Sequence, residues 1–83
     1  MISRQLSERD LRRAGEKNGM AWLVEGPTRG PAWPHAYRLF DNTPAELALC
    51  GYRPWESAEM EVPRVLGYGC RQCRHFFDIS TAT

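Results

Sequence analysis

Apolar and polar positions follow different periods along this chain, and each change of period marks a new element. After Ser7 the run Glu8-Arg9-Asp10-Leu11-Arg12-Arg13-Ala14 contains neither proline nor a β-branched residue. Ser7 can accept from the free N–H groups of a first turn, and Asp10 three residues on can reach back to the cap. Leu6 and Leu11 are spaced as a hydrophobic staple across that cap. Glu8 and Asp10 suit the positive end of the helix dipole and Lys17 the negative end. The pattern predicts a helix over about residues 8–17, stopped at Asn18-Gly19 and weakened at Gly15 by about 1 kcal/mol relative to alanine. Its apolar stripe, Leu11 and Ala14, is thin, so it lies on the surface of a domain.

The period then shortens. Met20-Ala21-Trp22-Leu23-Val24 reads as a strand with Trp22 and Val24 on one face, and Gly26-Pro27-Thr28-Arg29-Gly30-Pro31 ends it. Ala36-Tyr37-Arg38-Leu39-Phe40 reads as a second strand, followed by a turn at Asp41-Asn42-Thr43-Pro44. For residues 45–51 two signals compete. Thr43-Pro44-Ala45-Glu46 is a capping box with proline at the first helical position. The alternation of Leu47 and Leu49 against Ala48 and Cys50 suits a strand ending in a Cys-Gly turn, and the strand is the reading adopted here. Tyr52 to Pro63 reads as an exposed loop anchored by Trp55, and Val62 to Tyr68 as a possible third strand leading to a cysteine turn. The expected fold class is α+β: an N-terminal helix and a small antiparallel sheet. One domain over residues 1–83 divides into a helical part (1–19), a zinc-ribbon-like β region (20–79) and a frayed tail (80–83).

Length sharpens this picture. At 83 residues the chain buries a smaller share of its surface than a mid-sized domain, so a staple would help it. No apolar run approaches the roughly 20 residues of a membrane span, and the first residues lack the apolar stretch of a signal peptide. A cytoplasmic setting is expected. There the three cysteines favour metal binding over a disulfide framework.

Cys70-Arg71-Gln72-Cys73 puts two thiols on one turn, half of a tetrahedral zinc site. Cys50 and His35 complete a candidate shell of three thiolates and one imidazole, which structural zinc prefers; His75, two residues beyond Cys73, competes for the fourth position. A closed shell leaves no place for substrate or an activated water. A Cys-x2-Cys redox pair is the alternative, but the strand-helix context of thioredoxin-like motifs is not visible.

The run from His35 through Leu49-Cys50-Gly51 and Trp55 to Cys70-Arg71-Gln72-Cys73-Arg74 resembles a group of small bacterial and phage zinc-finger-like proteins. The resemblance spans about half of the chain and implies structural Zn2+.

Net charge is +1, which excludes a simple nucleic-acid-coating protein, but charge is unevenly spread. Acidic residues collect in 41–61, between basic segments on either side. Arg9, Arg12, Arg13 and Lys17, with Arg71 and Arg74 beside the metal turn, are the candidates for contact with phosphates or an acidic partner. Trp55, Glu56, Glu59, Glu61, His75 and Phe76 are the candidates for contact with a protein. The expected role is a non-enzymatic, zinc-stabilised binding module acting on a protein or nucleic-acid complex, with no small-molecule substrate. The alternative within that class is a phage or mobile-element inhibitor, anti-CRISPR-like or directed at transcription, with the acidic loop imitating nucleic-acid charge.

Overall fold

The computed structural model describes residues 5–26, 33–54, 59–64 and 66–82. Among them the elements run α1 (Glu8–Arg13), β1 (Met20–Gly26), β2 (His35–Phe40), β3 (Thr43–Ala48), β4 (Glu59–Glu61) and α2 (Arg71–Thr81). The four strands form one antiparallel sheet in the order β3-β2-β1-β4, so the fold is α+β as the pattern predicts. No described helix is long and apolar enough to cross a membrane.

The cap of α1 forms as expected. Asp10 N–H donates to Ser7 Oγ, and the Ser7 N–H donates to the Asp10 carboxylate. Leu6 is buried and Leu11 packs against the same core. The helix nevertheless ends at Arg13 rather than near residue 17. Gly15 takes a φ of +67°, so it is the stop rather than a weak point inside the helix. Asn18 and Gly19 also lie at positive φ, and Lys17 forms a bridge with Met20 in the turn into β1. Lys17 therefore does not continue the stripe of Arg9 and Arg13. Replacing Ser7 with alanine is expected to lower stability by about 1 kcal/mol, with Ser7→Asp nearly neutral. Denaturant midpoints of the two variants check this, and equal losses in both would refute the capping role.

β1 is one of the two inner strands, and its residues 20–24 are all buried. Its direct partners, Leu23 with His35 and Trp22 with Ala36, put Leu23 and His35 on one face and Trp22 on the other. The hairpin between β2 and β3 turns on Asp41 and Asn42 alone, both at positive φ (54° and 62°), the geometry of a two-residue type I′ loop. Thr43 and Pro44, read from sequence as turn, already belong to β3. Pro44 is tolerated because β3 is an edge strand. Strand therefore wins over helix for this segment.

Three expectations fail in the second half. Residues 59–61, assigned to an exposed loop, form β4, which pairs with Val24–Gly26 and buries Met60. The described residues between 62 and 68 hold no strand. Arg71–Thr81 is an 11-residue helix where the β region was expected to run to 79 and the tail to fray from 80. Thr81 Oγ1 donates back to the Phe77 carbonyl at 2.8 Å, so the last turn is tied to the helix. The helix lays Phe77 on Trp22 (ring centroids 5.4 Å apart) and buries Cys73 completely.

Candidate metal centre

Three separate segments supply the site. His35 opens β2, Cys50 follows the end of β3, and Cys70 and Cys73 sit at the N-cap and in the first turn of α2. Backbone hydrogen bonds hold the segments together. Leu49 N–H donates to the Ala36 carbonyl at 2.8 Å, and Cys70 N–H donates to the Pro34 carbonyl at 2.9 Å. Gly69 permits the second contact. At its φ of +152° a Cβ would stand 2.7 Å from the Pro34 oxygen, a backbone atom that cannot step aside.

The donor atoms of His35, Cys50, Cys70 and Cys73 all lie within 4.8 Å of one another. His35 Nδ1 is 3.5 Å from Cys50 Sγ and 3.6 Å from Cys73 Sγ. A tetrahedral ion about 2.3 Å from sulfur and about 2.0 Å from imidazole nitrogen separates sulfur from nitrogen by about 3.5 Å and two sulfurs by about 3.8 Å. The two measured nitrogen–sulfur distances match that geometry, and the widest pair needs to close by about 1 Å. The cluster is therefore compatible with a metal ion. It uses His35, whereas His75 stands exposed on α2 against Phe76 and takes no part in the cluster.

The surroundings bias each donor differently. Partial burial lowers the His35 pKa, offset in part by Glu25, a shift that favours the neutral ring a metal would need. Burial pushes the Cys73 thiol up to about 12. Burial also acts to raise Cys70, but the N–H groups of Cys73 and Gln72 and bonds from the Cys50 and Cys73 side chains outweigh it and hold Cys70 below its usual value. Cys70 is thus the readier thiolate of the Cys70–Cys73 pair. Loss of the Cys73 proton is favoured when a dication's charge offsets the burial.

Tyr52 was not singled out as part of the site. Its ring stacks on the His35 imidazole (centroids 4.4 Å apart, planes 7° from parallel) and its hydroxyl donates to the Glu25 carboxylate. The hydrogen bond to Glu25, then burial, raises the Tyr52 pKa to about 12, which keeps the hydroxyl protonated as a donor. Burial first, and Glu25 next, likewise raise the pKa of neighbouring Tyr37. An aromatic residue immediately after Cys50-Gly51 is the only signal for Tyr52 in the sequence. Tyr52→Ala is expected to weaken metal affinity about tenfold or more, the usual scale for outer-shell partners, and Tyr52→Phe by less because the stack survives. Competition against a chelating dye measures this, and unchanged affinity in Tyr52→Ala would remove the clamp.

The remaining candidates are dispersed. Arg9, Arg12 and Arg13 are exposed on α1, Lys17 is exposed beyond it, and Arg71 is exposed in the first turn of α2. Arg74 is occupied within the fold: its guanidinium lies 4.5 Å over the Trp22 ring and 3.7 Å from Asp78. Glu59 and Glu61 are exposed on β4, and His75 and Phe76 are exposed on α2, a different element. Trp55 and Glu56 lie outside the described residues. The Cys-x2-Cys pair does lie at a helix N-terminus, a context that the sequence did not reveal. Searches of protein-family models, curated proteins and solved structures return no match to this chain.

Proposed function

We propose that this chain is a non-enzymatic binding module whose fold is clasped by one structural zinc ion. The observation that carries this reading is the convergence of His35, Cys50, Cys70 and Cys73 from three segments onto one four-donor cluster. Three thiolates and an imidazole suit zinc over harder cations, and four protein donors leave no open position for a reacting water. The ion joins the start of β2, the end of β3 and the first turn of α2, so its role is to hold surfaces in place. A reducing compartment such as the cytoplasm keeps the three thiols available.

Native mass spectrometry is expected to find one zinc per chain. Cobalt substitution should give the intense visible bands of a tetrahedral thiolate site, reduced by Cys50→Ser and by His35→Ala but not by His75→Ala. Equal reduction by His75→Ala would overturn the ligand set.

A redox reading is favoured by one specific feature, the placement of Cys70 at the N-cap of α2 with a lowered pKa. It requires the two thiols to react freely, whereas Cys50 and His35 share the same cluster. A purified protein that carries no metal and cycles a Cys70–Cys73 disulfide would establish this reading against zinc.

A further inference from the structure

Trp33 and Tyr68 are large aromatic residues left open to solvent, 54% and 46% exposed, yet they are ordered against each other, with ring centroids 5.4 Å apart and planes at 64°. Each lies two residues before a metal-site residue, His35 in one case and Cys70 in the other. The hydrogen bond from Cys70 N–H to the Pro34 carbonyl and the close approach at Gly69 lock the two segments together. The pair is thus a rigid aromatic surface at the crossing of two chain segments. Rings held in this way lose little entropy when a partner stacks on them.

The two crossing segments carry arginines and no carboxylate of their own in sequence, while the Glu25 carboxylate stands near His35 through Tyr52. Segment 26–40, which carries Trp33, holds Arg29 and Arg38 and no carboxylate. Segment 62–77, which carries Tyr68, holds Arg64, Arg71 and Arg74 and no carboxylate. Arg74 is engaged with Trp22 and Asp78, but Arg64 and Arg71 are exposed. Their two charges offset the single negative charge of a zinc centre with three thiolates and one imidazole together with that of Glu25 beside it. The chain's acidic residues are concentrated instead in 41–61.

We propose that Trp33 and Tyr68, with Arg71, form a stacking platform for single-stranded nucleic acid. This rests on the zinc clasp, which fixes the segments bearing the two rings. Unpaired bases offer flat faces to the rings while the phosphates meet the arginines. An acidic peptide would satisfy the arginines but has no such faces to offer, and a duplex keeps its bases stacked on one another. The platform reads no sequence, because every base has a face.

The test uses the zinc-loaded full chain and fluorescein-labelled mixed-sequence oligonucleotides of about 12 nucleotides, within the site sizes known for small single-strand binders. DNA and RNA single strands and the corresponding duplex are compared by anisotropy. Single strands are expected to bind more tightly than duplex. Trp33→Ala or Tyr68→Ala should weaken single-strand binding roughly 5- to 150-fold. Arg71→Gln should reduce the slope of log K against log salt by about 0.7. Zinc content by mass is read on every sample, so failure of the clasp is seen separately from failure of the platform. If Trp33→Ala loses zinc, Tyr68→Ala decides. Absence of binding by the zinc-loaded protein at about 50 mM salt overturns the proposal. So does binding that both ring variants retain, or a preference for duplex.

Discussion

Removing the metal with a chelator is expected to unfold the protein, and restoring zinc should refold it. Apparent binding free energies of structural zinc run to about 10–16 kcal/mol near neutral pH, while a whole domain is stable by only about 5–15 kcal/mol. In this chain the ion would fasten the start of α2 to the paired strands β2 and β3, beside the backbone bond from Cys70 N–H to the Pro34 carbonyl. α2 reaches the sheet chiefly through Phe77, Cys73 and the Arg74–Trp22 contact. Three thiols and an imidazole brought within 4.8 Å without an ion to share would have to rely on weak sulfur hydrogen bonds. Circular dichroism followed through a chelator titration reads the outcome. Cys73→Ser should act in the same direction, since Cys73 is fully buried and its sulfur also sits 3.8 Å from the Ala36 carbonyl. A chelated protein that melts where the zinc-loaded one does would remove the clasp.

Trp22→Ala is expected to be the most damaging single change in the core, costing about 3–5 kcal/mol. Trp22 is only 4% exposed and lies between Phe77 on α2 and the glycines at 15 and 69. Its loss would also remove the ring under the Arg74 guanidinium, a contact of about 0.5–2 kcal/mol on its own. For a domain of this size each kcal/mol moves the melting temperature by about 4–8 °C, so a fall of at least about 12 °C is expected. Arg74→Ala, which leaves the ring in place, should cost far less. Comparable losses in the two variants would mean that the ring is not the seat of α2. Hydrogen exchange should show the amides of α2 losing protection before those of β1, because α2 depends on that ring and β1 is paired on both sides.

The parts legible in sequence are those whose cause is local. The cap at Ser7 needs only Asp10 three residues away, and it forms as read. β1 and β2 follow from apolar runs flanked by turn residues. The extent of α1 is not legible in the sequence, because Gly15 can be tolerated inside a helix or end one, and only packing decides. Here Leu66 and Trp22 lie where a Cβ on Gly15 would point, and Trp22 N–H donates to the Ala14 carbonyl at 2.9 Å. The region beyond Cys70 was harder to read. Cys70 gives α2 no side-chain cap, and Ile79 and Thr81 lower its propensity. Its helical form depends on burying Cys73 and Phe77, one turn apart, against residues far away in the chain. β4 is too short to show alternation, and its pairing with β1 is non-local.

By itself, then, the sequence determined the chemistry of the Cys70–Cys73 pair, the identity of Cys50 and His35 as possible partners, and the elements with local signals. It did so because thiolate and imidazole character and cap geometry are properties of single residues and short spacings. The tertiary structure alone placed His35 rather than His75 with the three cysteines, turned the segment after Cys70 into a helix, withdrew Arg74 into the Trp22 contact and set Tyr52 against His35. It also brought Trp33 and Tyr68 face to edge. Each of these depends on distances between segments, and those distances follow from how the sheet and α2 share a common core.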